Sequence, residues 1–343
     1  LMDQNFLEYA SYVIKDRAIP DIEDGLKPVQ RRILHTMNEI DDGKFSKVAN
    51  IVGETMKLHP HGDAAIGSAL VVMANKEYVI EKQGNFGNQH TGDPASASRY
   101  IEARLTPLAK ETLFNTELTE FVDSYDGRNK EPVVLPCKLP LSLLFGAEGI
   151  AVGMSTRILP HNINEIIDAQ IAFLQNKSLK LLPDFPSGGM LDASEYEEGN
   201  GKVRVRAKIE ITNEKLLTIS ELPFGVTTES LIQSIQDAVN KGKFKLSSID
   251  NFTAENVEIE LKAARGMDAE KLLKLLYAFT QCEVSISVNM LLIQDNQPVQ
   301  LNTSEVLKRN TLRLKDLLKQ ELMLSLKQTK QKWHQRKLEM YFI

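Results

Sequence analysis

Cysteine is scarce in this chain: Cys137 and Cys282 are the only two in 343 residues, and they lie far apart. Two such thiols make neither a disulfide framework nor a zinc cluster, and they fit a reducing cytoplasm. No apolar run approaches the roughly 18 residues that a membrane-spanning helix needs. The N-terminus also lacks the basic-then-apolar pattern of a secretion signal. The sequence therefore predicts a cytoplasmic protein with no membrane insertion.

Signatures of nucleotide and metal chemistry are missing as well. The chain has no Gly-x-x-x-x-Gly-Lys-Ser/Thr phosphate loop. It also has no Asp-x-Asp after a strand-like run, a pattern expected of a two-metal centre. We therefore expect no metal site in this chain, and any Mg²⁺ or ATP that its chemistry requires would be bound by a partner chain.

Acidic residues outnumber basic ones, 46 to 41, for a net charge of −5. This balance disfavours nucleic-acid binding in general, because neutralisation of phosphates by Lys and Arg drives that affinity. The basic residues are clustered, however. Lys27, Arg31 and Arg32 fall within six residues, and residues 305–343 hold ten Lys or Arg against four Asp or Glu. Local positive surfaces are therefore expected despite the acidic total.

The first third of the chain has the pattern of helices separated by short turns. A helix is predicted from Pro28, since proline is favoured in a first turn. Its apolar residues recur at helical spacing: Val29, Ile33, Met37 and Ile40. Arg31 and Arg32 lie off that stripe, so we expect both to face solvent or a ligand.

A helix, a tight turn and another helix follow, over residues 47–58, 59–62 and 64–75. The turn contains proline and glycine, which break helices, and Asp63 is a suitable N-cap for the second helix. This order is the outline of a helix-turn-helix, whose second helix presents its first turn to DNA. The residues in that position are Ala64, Ala65 and Ser68.

Residues 82–100 show no periodicity and are rich in glycine and polar side chains. Loops of this length are uncommon unless they carry function. Tyr100 ends the loop, and a further helix is predicted from about Ile101.

After Pro136 the pattern becomes mixed α/β. Helices are predicted from near Thr228 and Asp268, between strand-like runs at 203–209, 216–221, 257–263 and 284–289. Beyond Pro298 there is no Gly or Pro, and a capping box at 302–305 precedes one long helix. A helix of about 40 residues is about 60 Å long, too long to bury in a small domain. We therefore predict an α+β multidomain fold that ends in a helix packed against another helix.

His59, Pro60, His61, Gly62 and Asp63 form the densest group of functional side chains. One interpretation is a zinc site, because His-x-His-x-Asp resembles the ligands of metallo-β-lactamase-like hydrolases, although no further His or Cys cluster follows. A second is a turn whose histidines cap helices. A third is a phosphate clamp, since imidazoles beside a helix N-terminus can donate hydrogen bonds to phosphate oxygens.

Tyr100 could act as a nucleophile only with help from its surroundings. A phenol has a pKa near 10, so forming a phenolate at pH 7 costs about 4 kcal/mol. Neighbouring cations, a metal or a base must reduce that cost. Arg99 is adjacent, and the residues that could converge on the phenol are Arg17, Arg31, Arg32, His59 and His61. An Arg-Tyr pair alone is commonly structural, so the long loop and the His-Pro-His turn carry the hypothesis.

Several motifs, in this order, are similar to those of the gyrase A and topoisomerase IV A family, the A subunits of bacterial type IIA topoisomerases. The matching segments lie between residues 17 and 162: Arg-Ala-Ile-Pro-Asp at 17–21, Asp-Gly-Leu-Lys-Pro-Val-Gln-Arg-Arg at 24–32, His-Pro-His-Gly-Asp at 59–63, Gln-Gly-Asn-Phe-Gly at 83–87, Ser-Arg-Tyr at 98–100, Gly-Ile-Ala-Val-Gly-Met at 149–154 and Leu-Pro-His-Asn at 159–162.

This resemblance implies three parts. They are a winged-helix (helix-turn-helix) DNA-cleavage domain over 1–136, an α/β tower domain over 137–300, and the truncated first arm of a long coiled coil over 301–343. The implied activity is DNA breakage and reunion, in which Tyr100 forms a transient 5′-phosphotyrosyl link during ATP-dependent duplex passage. The implied partners are double-stranded DNA, a second copy of the A chain, and a B subunit that binds Mg²⁺ and ATP, in an A2B2 heterotetramer associated with the nucleoid.

The resemblance also implies roles for single residues. Arg99 and Arg17 would stabilise charge on the scissile phosphate, beside His59 and His61. The DNA backbone would be held by Arg31, Arg32 and Lys47. Ile150 would wedge between base pairs and bend the DNA, a known use of apolar side chains. Its pattern alone would instead suggest a buried strand residue.

Departures from the family bear on which member the chain resembles. Gln30, Asn50 and Lys82 stand where relatives commonly have other residues, and the segment between Asn75 and Gln83 is short. These features favour topoisomerase IV over gyrase, which performs the same cleavage chemistry. A non-catalytic helix-turn-helix DNA-binding protein is the alternative from another class, and it predicts that no covalent DNA adduct ever forms.

Ala64 and Ser68 occupy positions where many relatives carry Ser and an acidic residue, which anchor the water–metal bridge of fluoroquinolone drugs. We therefore predict weak drug anchoring through that bridge. The double variant Ala64→Ser with Ser68→Glu should increase drug-stabilised DNA cleavage by the assembled enzyme. Unchanged drug-stabilised cleavage in that variant would contradict the prediction.

Overall fold

The N-terminal part of the computed structural model, which describes residues 2–178 and 180–342, is built from helices around a small sheet. The helices are α1 (Met2–Val13), α2 (Pro28–Glu39), α3 (Val48–Thr55) and α4 (Asp63–Ala74), with a π-helical turn at Ile14–Ala18. The strands are β1 (Ser46–Lys47), β2 (Ile80–Gln83) and β3 (Glu102–Leu105). Strand β3 lies in the middle and pairs antiparallel with both others.

The local patterns explain most of these elements. Pro28 begins α2, whose Ile33 and Met37 are buried as the helical spacing predicts. The predicted helix, turn and helix are present at α3 and α4, although Gly62, not Asp63, occupies the cap position. The helix predicted from Ile101 is wrong: the segment is β3, in which burial alternates with the period of two that a strand requires.

Short elements connect this part to the rest of the chain. They are α5 (Pro107–Leu113), β4 (Phe121–Asp123), β5 (Lys130–Pro132), α6 (Leu141–Phe145), β6 (Ala147–Ile150), β7 (Ser155–Ile158) and α7 (Ile163–Leu174). A 3₁₀ turn lies at Thr116–Leu118. β4 and β5 form one antiparallel hairpin, and β6 and β7 form another.

The C-terminal lobe, residues 190–287, has two antiparallel sheets. The strands are β8 (Met190–Asp192), β9 (Lys202–Arg206), β10 (Lys208–Asn213), β11 (Leu216–Glu221), β12 (Leu246–Asn251), β13 (Ile259–Ala263) and β14 (Glu283–Ser287). The four-stranded sheet has the order β10-β11-β13-β12 and the three-stranded sheet has the order β14-β9-β8. The helices are α8 (Thr228–Asn240) and α9 (Ala269–Phe279), with a 3₁₀ turn at Glu197–Gly199.

The main hydrophobic cluster does not stop at residue 136, where the sequence suggested a boundary. It draws on residues from Ile22 to Leu181 and again from Met290 to Leu307, so the chain returns to it after the C-terminal lobe. A separate cluster fills the space between the four-stranded sheet and helices α8 and α9. The boundary at 136 therefore does not coincide with a break in packing, and the division into functional domains stays a prediction.

The described residues end in one helix, α10 (Thr303–Phe342), which follows the hairpin of β15 (Leu291–Gln294) and β16 (Gln297–Gln300). The predicted capping box is present, because Asn302 and Glu305 each accept the backbone N–H of the other, at 2.8 and 2.9 Å. Helix α7 packs against the first turns of α10, where Gln170 donates a hydrogen bond to the buried Asn310 at 2.9 Å. The buried residues of α10 end at Leu317.

Candidate active site

Tyr100 lies at the surface, in the turn that joins the long loop to β3. Its side chain is 63% exposed, and its backbone N–H donates to Ala97 at 2.9 Å. The Arg99 guanidinium lies over the phenol ring, 4.7 Å from the ring centre. Gly84, with φ +98°, passes so close that a Cβ there would lie 3.6 Å from the Tyr100 carbonyl oxygen. The loop therefore packs closely against the backbone of Tyr100. The Tyr100 side chain is exposed, so its hydroxyl is accessible to a large ligand.

A cleft of about 620 Å³ collects most of the other predicted catalytic residues. Arg17, His59 and His61 line it together with Lys27 and Ile150. Tyr100 and Arg99 do not line this cleft. Within one chain, the structure therefore brings the two imidazoles, Arg17 and the hairpin together at one cleft, and the tyrosine pair is not among the residues that line it.

The two imidazoles of the His-Pro-His turn are held by different partners. His59 is nearly buried, and its Nδ1 is 2.9 Å from a guanidinium nitrogen of Arg32. His61 Nε2 is 2.7 Å from the Tyr12 hydroxyl, and the two imidazole rings meet edge to face at 5.0 Å. Burial lowers the pKa of His59 to about 4, and the positive charge of Arg32 adds to the effect. His59 is therefore neutral at physiological pH.

Lys27 is a cleft residue that the sequence did not single out for the site. Its ammonium donates to the Glu148 carbonyl at 2.5 Å, and burial lowers its pKa, opposed by the charge of Glu148. The adjacent Gly149 lies directly against the backbone of Ala18, because a Cβ on Gly149 would be 2.0 Å from the Ala18 carbonyl oxygen. The contacts of Lys27 and Ala18 with residues 148 and 149 thus fix the position of the β6–β7 hairpin at the cleft.

Ile150 stands at the end of that hairpin and is 81% exposed. The turn after it contains Gly153 at φ +72°, a conformation that favours glycine. A large aliphatic side chain exposed to water at the end of a hairpin has no role in packing the core. The interpretation of Ile150 as a buried strand residue is therefore wrong.

Arg31 does not face solvent, so that prediction is wrong. It is buried and donates to both oxygens of the buried Asp24, at 2.6 and 3.0 Å. Asp24 also accepts the backbone N–H groups of Leu26 and Leu135, each at 3.0 Å. Helical periodicity located Arg31 off the apolar stripe, but the loop before α2 folds back and covers it.

We predict that Asp24→Asn lowers the free energy of unfolding by about 3–5 kcal/mol, because Arg31 would keep its charge in the interior without a counter-ion. Denaturant unfolding followed by circular dichroism measures this. Asp123→Asn is the matched control, since Asp123 pairs with Lys130 at 2.7 Å on an exposed surface. A loss for Asp24→Asn no larger than that of the control would contradict the structural role of this pair.

The remaining predicted residues have simple environments. Lys47 is about half exposed and pairs with Glu102 at 2.7 Å. Arg32 is mostly buried and pairs with both carboxylate oxygens of Glu131, a residue that no sequence pattern linked to the site. Ala64 and Ser68 lie on the first turns of α4, as predicted, and both are exposed.

The described residues offer no ligand set for a metal ion. No three His, Cys, Asp or Glu side chains within them come together at a suitable spacing. The zinc interpretation of His59, His61 and Asp63 therefore lacks its geometry, and a Mg²⁺ site does not fit these residues either. Within the same residues, none of the helices combines the length and the hydrophobicity that a membrane span requires.

The match to known proteins agrees with the motifs and their placement. A family model that describes the A subunits of DNA gyrase and topoisomerase IV matches residues 17–342. The chain belongs to this family of topoisomerase A subunits. This is the class of protein that the motifs containing Tyr100, the His-Pro-His turn and the hairpin had indicated.

Similarity within the family is greater to a topoisomerase IV protein than to a gyrase. The chain is 55% identical to the A subunit of DNA topoisomerase 4 from Borreliella burgdorferi, over 100% of this chain and 55% of that protein. It is 39% identical to the A subunit of DNA gyrase from Leptospira biflexa, over 90% of this chain and 40% of that protein. The chain thus spans about half the length of the curated relatives that it matches.

Proposed function

We propose that the chain is the DNA breakage and reunion part of a topoisomerase IV A subunit, with Tyr100 as its nucleophile. The observation that carries the proposal is the exposed Tyr100 ring under the Arg99 guanidinium, in a member of this family. The 55% identity to a topoisomerase IV protein, against 39% to a gyrase, favours topoisomerase IV.

The chemistry follows from the groups present. The phenol of Tyr100 gives up its proton and its oxygen forms a bond to a DNA phosphorus, while the P–O3′ bond breaks and the 3′ oxygen takes up a proton, so the step neither gains nor loses protons overall. One phosphodiester replaces another of similar energy, so resealing is the same step in reverse and cleavage itself consumes no nucleotide. Arg99 and Arg17 stabilise the charge that develops on the phosphate oxygens, where preorganised donors have their largest effect.

The surrounding elements support a winged-helix DNA-binding unit. Helix α2, strand β1, helices α3 and α4, and strands β2 and β3 follow each other in the chain, with β3 central in the sheet. The loop between β2 and β3 is then the wing, and Tyr100 lies at its end. Ala64 and Ser68 on the first turns of α4 belong to the same unit, where a recognition helix meets the major groove.

Two copies of the chain acting together explain why the tyrosine pair is absent from the cleft that holds the other predicted catalytic residues. Tyr100 and Arg99 do not line the cleft of Arg17, His59 and His61 in their own chain. We therefore propose a homodimer in which Tyr100 of the partner subunit cuts the strand bound in this cleft. Lys47 contacts the DNA backbone, and Ile150 inserts between base pairs and bends the duplex. The C-terminal lobe is the tower and α10 is the first arm of the coiled coil.

The cofactors belong to the partner in this proposal. A B subunit in an A2B2 assembly in the bacterial nucleoid supplies the Mg²⁺ and the ATP hydrolysis that drives duplex passage. The chain's own residues bind and orient the DNA and supply the nucleophile.

The proposal is tested by mixing the chain with a type IIA B subunit, Mg²⁺ and supercoiled DNA, and stopping the reaction with detergent. We expect protein-linked double-strand breaks. Absence of any covalent adduct, with DNA binding intact, would instead support a non-catalytic DNA-binding protein. With ATP and the full-length protein, decatenation without negative supercoiling distinguishes topoisomerase IV from gyrase.

A further inference from the structure

Arg32 connects two residues that lie far apart in the chain. One edge of its guanidinium, Nε and Nη2, donates to both carboxylate oxygens of Glu131, with a distance of 3.0 Å for the bond from Nη2. A further guanidinium nitrogen lies 2.9 Å from Nδ1 of His59. Glu131 belongs to β5, Arg32 to α2 and His59 to the turn after α3. Three separate elements are thus joined through one side chain.

The chemistry of this contact determines where the His59 proton lies. A guanidinium has only donors, so the hydrogen bond from Arg32 requires an unprotonated Nδ1 on His59. A neutral imidazole that accepts at Nδ1 carries its proton on Nε2. Among the groups that the structure describes, none accepts a hydrogen bond from that Nε2. His59 lines the cleft, so its Nε2–H is free to bind an acceptor there.

Glu131 is what keeps Arg32 in this position. The side chains of Arg32 and Glu131 are only 16% and 13% exposed, so the pair is shielded from solvent. A planar guanidinium held by two bonds to a carboxylate has a fixed orientation. With its charge balanced by Glu131, Arg32 is poorly placed to bind a DNA phosphate, the role that the family resemblance suggested for it.

We propose that Glu131 is a positioning residue, which acts through Arg32 to hold His59 as a neutral donor with its Nε2–H directed into the cleft. This inference rests on the proposed function, in which the acceptor is an oxygen of the scissile phosphate. A neutral imidazole can donate a hydrogen bond to that oxygen, whereas an imidazolium could also transfer a proton to it. The arrangement resembles the general use of a carboxylate to fix a catalytic imidazole, here with an arginine in between.

The proton position is measured directly by NMR on the chain labelled with ¹⁵N-histidine, with the His59 signals assigned from their loss in His59→Gln. We expect wild-type His59 to be the Nε2–H tautomer at pH 6 to 8. In Glu131→Gln, we expect a mixture of tautomers. Wild-type His59 found as the Nδ1–H tautomer, or as an imidazolium at pH 7, would overturn the proposal. This readout needs no DNA cleavage and is independent of the proposed function.

Cleavage by the assembled A and B subunits gives the second readout. Because Glu131→Gln removes one charge-assisted contact, we expect it to lower the yield of covalent adduct by about ten- to a hundredfold. Glu131→Asp should restore part of that yield. Glu120→Gln, on the exposed residue just before β4, is the matched control and should cleave normally.

If Arg32 instead binds DNA, Glu131→Gln releases the Arg32 guanidinium from its ion pair and makes it available to a phosphate. Tighter DNA binding with undiminished cleavage would then refute the positioning role.

Discussion

Tyr100→Phe is expected to abolish the covalent DNA adduct, lowering cleavage by at least about three orders of magnitude, because removal of a nucleophile leaves only binding effects. Folding should be unaffected, since the side chain is 63% exposed and the hydroxyl makes no hydrogen bond within the described residues. The measurement is the yield of protein-linked DNA after a detergent quench, with wild-type and variant proteins mixed with the same B subunit.

The matched control is Tyr125→Phe, since Tyr125 is a comparably exposed tyrosine, at 58%, on the β4–β5 hairpin. Loss of adduct in Tyr100→Phe alone, with equal DNA affinity in all three proteins, is the expected pattern. Normal adduct formation by Tyr100→Phe would remove the basis of the proposed mechanism.

Gly149→Ala is expected to lower DNA cleavage by about a hundredfold, the size of effect that small misplacements of reacting groups produce. The added Cβ would lie 2.0 Å from the Ala18 carbonyl oxygen, so the backbone must move. Ala18 follows Arg17, and Gly149 precedes Ile150. One methyl group therefore displaces both the cleft arginine and the tip of the hairpin. Overpacking of this kind also costs about 1–3 kcal/mol of stability.

DNA cleavage and DNA bending should fall together in Gly149→Ala, with bending followed by fluorescence energy transfer between the ends of a short duplex. Gly53→Ala is the control, because Gly53 lies in α3 with open space where its Cβ would be. Wild-type cleavage and bending in Gly149→Ala, at a temperature where the variant is folded, would show that the contact with Ala18 does not position the site.

The elements with strong periodicity were predictable from the sequence. Helices α2, α4 and α10 lie close to their predicted ranges because apolar spacing and capping residues are local signals. The strand at Glu102–Leu105 was not predictable, because four residues are too few for alternation to be visible in one sequence.

The parts of the site that depend on distant contacts were not predictable. Arg31 sits at a helix position that looks exposed, and only the fold of the preceding loop buries it against Asp24. Glu131 is 99 residues from Arg32, and nothing local in either segment indicates that they meet. Motifs thus indicated the candidate reactive residues, whereas the residues that contact them from distant segments required the structure.

The central claim, that Tyr100 becomes covalently linked to DNA, is tested most directly by mass spectrometry of the trapped complex. The adduct is formed with Mg²⁺ and a B subunit, denatured, and digested with nuclease and protease. The account predicts one modified peptide, which contains Tyr100 with a nucleotide joined through its 5′ phosphate. A nucleotide on any other residue, or a 3′ linkage, would contradict it.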